Sequence, residues 1–184
     1  MLQVFSTALP DVKVVVPVRH RDARGFFSER YNKRELAAAG IALDFVQDNH
    51  ILSGPVGTVR ALHYQLRPFA QDKLLGVLRG AVFDVAVDLR SGSPTFGKHV
   101  SVVVSADEGN QVLVPAGFAH GFCTLEPDTE VIYKVTEYYS PQHDRGILWN
   151  DPDLGIDWPV PETDALLSDR DRRHPRLRDT SERL

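Results

Sequence analysis

Cysteine is almost absent. Cys123 is the only one in the chain, which excludes an intrachain disulfide framework and any zinc site built from several thiolates. Positive charge is not in excess. The 21 Lys and Arg stand against 25 Asp and Glu, a formal charge of -4, which is a poor balance for general nucleic-acid binding. Long hydrophobic runs are missing too. The apolar stretch around Val85 is interrupted by Asp84 and Asp88, and nothing approaches the ~18 apolar residues of a spanning helix. The segment Met1 to Pro10 has no basic stretch followed by an apolar one, so no secretory signal is expected and the cytoplasm is the expected location. What remains is ordinary: 184 residues, 42% apolar and 25% charged. That describes one globular domain spanning 1–184, long enough for a sizeable core.

The dominant local period is two. Val12, Val14 and Val16 alternate with Lys13, Val15 and Pro17. The run Ala81 to Asp88 sets acids on one side and apolar groups on the other. His99 to Ala106 and Gln111 to Val114 are rich in valine, and Thr129 to Tyr139 alternates again. β-branched and aromatic residues favour strands because they pack on a pleated surface. Turn signals separate the runs, among them Ser53-Gly54-Pro55, Ser91-Gly92-Ser93-Pro94 and Asp107-Glu108-Gly109-Asn110. Strands this closely spaced predict a mainly β sandwich or barrel with few helices. One helix is expected at about Lys33 to Ala39, with Asn32 as N-cap and Gly40 as its stop. A second short one is expected at Glu162 to Leu167. The tail from Asp169 to Leu184 is rich in arginine and, as a charge block, is expected to be solvated.

Two of the seven histidines sit where chemistry is expected. His63 lies in the strand-like Arg60-Ala61-Leu62-His63-Tyr64-Gln65, on the face shared by Ala61 and Gln65. His120 follows Pro115-Ala116-Gly117-Phe118-Ala119, a tight turn that presents it near the start of a strand. Histidine titrates near neutrality and can take and return protons. Tyr133 and Tyr139, six apart on a late strand, are expected to face one side, where a phenol can donate a proton. Lys73, if it points inward, can stabilise an enolate oxygen.

Pro115, Gly117 and His120 resemble the second half of the cupin metal motif, Pro-x-Gly-x-x-His. The first half is broken. Gln65 stands where a second histidine ligand belongs, and no glutamate occurs between His63 and Arg79. The reading is a cupin-type antiparallel β-barrel, or jelly roll, with no metal.

A more specific resemblance runs nearly the whole length of the chain. Asp22-Ala23-Arg24-Gly25-Phe26-Phe27-Ser28-Glu29, Phe45-Val46-Gln47-Asp48-Asn49-His50, Arg60 to Gln65, Gly92 to Gly97, Pro115 to Phe122, Tyr133-Lys134 through Tyr139, Trp149-Asn150-Asp151-Pro152 and Leu167-Ser168-Asp169-Arg170-Asp171 resemble, in order, the dTDP-4-dehydrorhamnose 3,5-epimerase family. The resemblance implies a thymidine-diphosphate sugar substrate, dTDP-4-dehydro-6-deoxy-D-glucose, whose C4 ketone acidifies the C–H bonds at C3 and C5. It implies that His63 is the base, Asp171 its orienting acid, Lys73 the enolate stabiliser and Tyr133 the proton donor on the opposite face. Arg24, Arg60 and Arg170 match positions near the nucleotide and diphosphate, where guanidinium forks suit phosphate oxygens. Glu29, Gln47 and Asn49 match nucleotide contacts, His120 a sugar-side contact, and Tyr139 a position beside thymine or sugar. Asp144 stands where glutamate is common, with a shorter reach. Ala61 replaces the usual glycine, and Arg170 the usual lysine. The family further implies a homodimer that exchanges N-terminal segments, and no cofactor. Within the tail, Arg170 and Asp171 then belong to the site, while the residues beyond about Pro175 stay solvated. Alternative readings are a single-position epimerase acting at C3 or C5, a metal-dependent cupin enzyme, and a non-catalytic sugar-nucleotide-binding module.

Overall fold

Valine-rich alternation becomes antiparallel sheet throughout. The computed structural model describes residues 2–180. Its first strands are β1 (Gln3–Ser6) and β2 (Lys13–Val16). A hairpin follows, β3 (His20–Asp22) with β4 (Gly25–Phe27), and then helix α1 (Lys33–Ala38). The chain continues through β5 (Gln47–Ser53), β6 (Val59–Gln65), β7 (Lys73–Arg79), β8 (Ala81–Asp88) and β9 (His99–Ser105). The last strands are β10 (Gln111–Val114), β11 (Phe118–Thr124), β12 (Thr129–Val135) and β13 (Asp144–Gly146). One sheet has six strands in the order β1-β2-β10-β7-β12-β5. The other has five, β13-β6-β11-β8-β9, and β3-β4 stands apart as a two-stranded ribbon. This is the sandwich that strand spacing predicted, in the cupin-type jelly-roll form that the motif resemblance implied.

The period of two decides what each face buries. Leu75 and Val77 of β7, Val112 of β10 and Val131 of β12 meet Val82 and Ala86 of β8 and Phe118 and Phe122 of β11 between the sheets. The alternate residues of β8, Val85 and Val87, point the other way. There Ile147, Trp149, Leu154, Ala165 and Leu167 of the C-terminal segment cover them. On the outer side of the six-stranded sheet, Leu36 of α1 packs on Val15, Leu74 and Leu113. The helix matches its expected span, and the Asn32 side chain accepts hydrogen bonds from the backbone N–H groups of Arg34 and Glu35.

Three expectations change. The strand beginning at Thr129 ends at Val135, so Tyr139 lies in the following loop and does not share a strand face with Tyr133. Buried Gln65 holds that loop, donating to the Tyr138 carbonyl at 3.1 Å and accepting from Ser140 N at 2.7 Å. Glu162 to Leu167 forms a turn rather than a helix. Leu166 pairs as a parallel bridge with Thr58, which uses the backbone groups a helix would need. The acids of β8 are buried. Asp88 accepts from Arg90 Nε (2.9 Å), Arg90 Nη2 (2.8 Å), Ser93 Oγ (2.6 Å) and Thr95 Oγ1 (2.6 Å). Burial alone would raise its carboxyl, but these bonds outweigh it and hold Asp88 well below the usual carboxylate range.

The approach of β6 to β11 is unusually close. A Cβ added at Gly121 would lie 2.6 Å from Ala61 Cα and 2.8 Å from the Arg60 carbonyl oxygen. These are backbone atoms and cannot swing away. Gly121→Ala is therefore expected to destabilise by ~1–3 kcal/mol through overpacking. Thermal melting should show a Tm lower by roughly 2–10 °C. An unchanged melt would mean that β6 and β11 can separate freely.

Candidate active site

The two sheets leave a cavity of about 520 Å³ between them at one end. The five-stranded sheet contributes Arg60 and His63 from β6 and His120 from β11. The six-stranded sheet contributes Lys73 from β7 and Tyr133 from β12. The C-terminal segment closes it with Ser168, Arg170 and Asp171. A second hollow of about 290 Å³ shares His63, Lys73, Tyr133 and Arg170 with it and adds Gln47, Asn49, Tyr139 and Asp144. The two form one cleft with a reactive floor and a polar mouth.

At the floor, His63 Nε2 lies 2.9 Å from Asp171 Oδ1. Asp171 is buried, with its side chain 7% exposed, while the His63 side chain is 32% exposed and can be reached from the cleft. Asp171 opens a short 3-10 turn (Asp171–Arg173), and its N–H donates to Ser168 Oγ at 3.1 Å. Burial would raise the Asp171 carboxyl, yet the imidazoles of His174 and His63 outweigh it and hold it well below the ordinary range. An ionised carboxylate behind Nε2 fixes the ring tautomer and stabilises imidazolium, leaving Nδ1 for proton transfer.

Lys73 donates to the His63 carbonyl at 3.3 Å. Desolvation pulls its ammonium down to about 8 against the opposing pull of Asp144 and Asp84. Tyr133 moves the other way: desolvation raises its phenol, partly countered by Arg60, so it stays protonated at neutral pH and can donate. His120 Nε2 lies 2.8 Å from Asp84 Oδ2, a pair almost wholly buried. Sequence reading missed Asp84, although an acid inside an apolar strand on the parity of Val82 and Ala86 was a usable signal.

At the mouth, Arg170 Nη2 meets Asp144 Oδ2 at 2.7 Å, and Tyr139 donates its hydroxyl to the same oxygen at 3.1 Å. Gln47 donates to Asn49 Oδ1 at 2.9 Å and accepts from Tyr139 N at 3.2 Å. Tyr139 thus reaches the cleft from its loop. Arg60 reaches it with Nε held 3.3 Å from Ser53 Oγ. Two residues do not join. Arg24 sits on the β3–β4 hairpin, its side chain 89% exposed and paired with Asp22. Glu29 lines a separate hollow beside Arg30 and Glu35.

Of the positions a metal cupin would use, His63 and His120 are cross-strand neighbours in register. His63 and His120 each face a carboxylate of their own, and Gln65 is spent on backbone groups. Among the described residues, the histidine and acid atoms that do converge are those of His63, Asp171 and His174, within 4.8 Å of one another. That composition could hold a metal ion, and its closest pair, His63 and Asp171, stands at hydrogen-bond distance, 2.9 Å.

A family model described as dTDP-4-dehydrorhamnose 3,5-epimerase matches residues 6–179. A curated dTDP-4-dehydrorhamnose 3,5-epimerase of Sinorhizobium fredii is 51% identical over 172 residues, covering 94% of this chain and 88% of that protein. The crystal structure of dTDP-4-dehydrorhamnose 3,5-epimerase from Bacillus anthracis, with TDP and PPi bound, superposes with TM-score 0.93 at 51% identity over 96% of this chain and 99% of that one. The Legionella pneumophila dTDP-6-deoxy-D-glucose-3,5-epimerase, in complex with dTDP-4-keto-L-rhamnose, also gives 0.93, at 42% identity over 98% and 95%.

The Lys73 environment generates a stability prediction. A lysine held near 8 in the folded chain and at 10.5 when unfolded disfavours folding, because the unfolded chain holds the proton more tightly. The penalty is full below about pH 8, falls as pH rises, and has gone above about pH 10.5. Lys73→Met is expected to raise stability at pH 7 by up to ~3 kcal/mol, the equivalent of about 2.5 pKa units. Denaturant melts at pH 7 and pH 10 check this. The gain should shrink at the higher pH, and an equal gain at both would remove the charge as its cause.

Proposed function

The chain belongs to the dTDP-4-dehydrorhamnose 3,5-epimerase family, and from that premise we propose how its cleft works. The reaction converts dTDP-4-dehydro-6-deoxy-D-glucose to dTDP-4-dehydro-L-rhamnose by inverting C3 and C5. His63 takes the proton from a carbon beside the C4 ketone, and the C–H electron pair moves to form the enolate. Lys73 stabilises the enolate oxygen, and Asp171 stabilises the imidazolium. Tyr133 then gives its hydroxyl proton to the opposite face of the same carbon. The tyrosinate regains a proton and His63 releases one to water, so the site is restored. The ketone supplies the acidity, so the reaction as proposed needs no cofactor. The carrying observation is that the His63–Asp171 pair and Tyr133 line one cavity from opposite sheets.

The diphosphate carries negative charge into a chain of net -4. Local placement of Arg60, Lys73 and Arg170 around the cleft outweighs the overall sign. His120 contacts the sugar, while Gln47, Asn49, Tyr139 and Asp144 frame the nucleotide end. Arg24 and Glu29 reach the cleft only from a second copy. Arg24 lies in, and Glu29 just after, a lone two-stranded ribbon with Phe26 55% and Phe27 65% exposed, a surface that calls for a partner. We therefore place the enzyme as a homodimer with exchanged hairpins. We place it in the cytoplasm, where a lone buried thiol such as Cys123 stays reduced.

Incubation with the substrate in deuterated water tests the reading. Deuterium at both C3 and C5 is expected. Label at C3 alone would make this a single-carbon epimerase, and no label from folded protein would end the enzyme reading. His63→Ala should abolish exchange, and Tyr133→Phe should lower inversion by ~10²–10⁴-fold while leaving exchange measurable. For the dimer, Arg24→Ala and His63→Ala are refolded together. Each alone should be weak. The mixture should regain activity, because a mixed dimer holds one site with neither lesion; no recovery would refute the exchange.

A further inference from the structure

His174 stands behind the pair just described, and neither the sequence motif nor the proposed chemistry uses it. Its side chain is 10% exposed. The ring meets that of His63 edge-on, with centroids 5.6 Å apart. Its Nε2 lies 3.7 Å from the same Asp171 Oδ1 that faces His63. That nitrogen is buried and has no other hydrogen-bond partner among the described residues. A lone pair aimed at a carboxylate would be repelled, so Nε2 carries the hydrogen and faces the charge as a donor. At 3.7 Å this is an electrostatic contact rather than a full hydrogen bond.

The fold makes room for this ring. Gly146 of β13 pairs in register with His63, and a Cβ there would collide with the His174 imidazole. Pro175 follows, and its carbonyl accepts from Leu148 N at 2.8 Å, which ties the segment to the strand side. Beyond Pro175 the described residues of the tail are docked at Leu177, and residues 181–184 of the tail expected to be solvated lie outside the described residues. Leu177 N–H donates to Asp151 Oδ2 at 2.8 Å, and the Leu177 side chain packs on the outer core.

We infer that His174 is a positioning residue: it shares the negative charge of Asp171 with His63 and so sets the pH at which His63 becomes a free base. The low position of the Asp171 carboxyl, to which the His174 imidazole contributes, is consistent with this sharing. A carboxylate relieved of its second donor holds the His63 proton more strongly. Without His174, a higher pH is then needed to free the base. Among the described residues, the charged or titratable groups that share the hollow beside the ring are Arg170 on its own segment, Tyr64 from β6 and Asp144 and Arg145 from β13. Asp179 of the next 3-10 turn lines the same hollow.

The test compares His174→Leu, which keeps bulk and loses the donor, with His174→Gln, which keeps an N–H donor. Protein dialysed against a chelator is used, so that metal plays no part. The acid limb of kcat/KM should move to higher pH by at least ~0.5 unit in the leucine variant and by less than about 0.2 in the glutamine variant. An unmoved limb in the leucine variant, or equal shifts in both, overturns the inference. The kinetic arm rests on the epimerase reading, so the His63 ring is also titrated by NMR, which reads the same displacement with no turnover. If the parent fails to turn over but the NMR shift is present, the reaction assignment fails and the role of His174 stands. Should the leucine variant not fold, Gly146→Ala drives the intact ring off the carboxylate and should give the same upward shift; no shift there overturns the inference.

Discussion

The hydrogen bond between His63 and Asp171 joins residues 108 positions apart, and much of the C-terminal third exists to close it. An ionised carboxylate left in that pocket without an imidazole would be a buried charge with no partner, at a cost of several kcal/mol. The chain therefore has to arrive with precision. Leu166 pairs with Thr58 at the leading end of β6, and Leu167 is buried against the outer face of the same sheet. The Ser168 hydroxyl accepts from Asp171 N. Three different interactions fall on the three consecutive positions Leu166 to Ser168, so the carboxylate three residues on is placed before any substrate enters. Placement of this kind removes reorganisation from the reaction itself.

The same economy explains why the cleft strains its own charges. Lys73 is pulled down and Tyr133 pushed up by one cause, removal from water. The first weakens the folded state at neutral pH, the second only in alkali where a free phenol would ionise, and both favour enolate chemistry. A poorly solvated ammonium gains more when an oxyanion forms beside it, and a phenol that remains protonated keeps a proton to give. Asp88 shows the contrast. It is just as deeply placed, but Arg90, Ser93 and Thr95 satisfy it fully, and it serves the loop rather than the cleft. Buried charge with every lone pair satisfied is architecture; buried charge with unmet interactions marks a working site.

Strand alternation, the α1 caps and the broken metal motif could all be read from the residues, because each depends on local spacing. Family resemblance supplied Asp171 and Arg170, which no local pattern connects to His63. Three things stayed hidden. Tyr139 was read onto a strand because alternation persists past Val135, yet buried Gln65 captures the backbone there and ends the pairing. Glu162 to Leu167 has helical composition, but a tertiary bridge to Thr58 overrides it. Asp84 and His174 act only through partners brought by other strands, and nothing near them in sequence marks those partners. The solvated reading of the tail beyond Pro175 is corrected, among the described residues, at Leu177, whose backbone and side chain dock inward onto partners that local sequence does not mark.

The sandwich also bears on stereochemistry. His63 hangs from β6 of the five-stranded sheet and Tyr133 from β12 of the six-stranded sheet. A planar enolate held between the sheets therefore has the proposed base on one face and the proposed acid on the other. Had both groups come from one sheet, a returned proton would land on the face it left, and the site would exchange hydrogen without inverting carbon. Two carbons of one ring flank the same ketone, so a ring that shifts or turns slightly in the cavity can present each in turn to one acid–base pair. Inversion at a second centre then needs room for that movement rather than a second set of residues. On this reasoning the number of carbons inverted depends on how the ring can move between His63 and Tyr133, and the catalytic groups themselves need not differ.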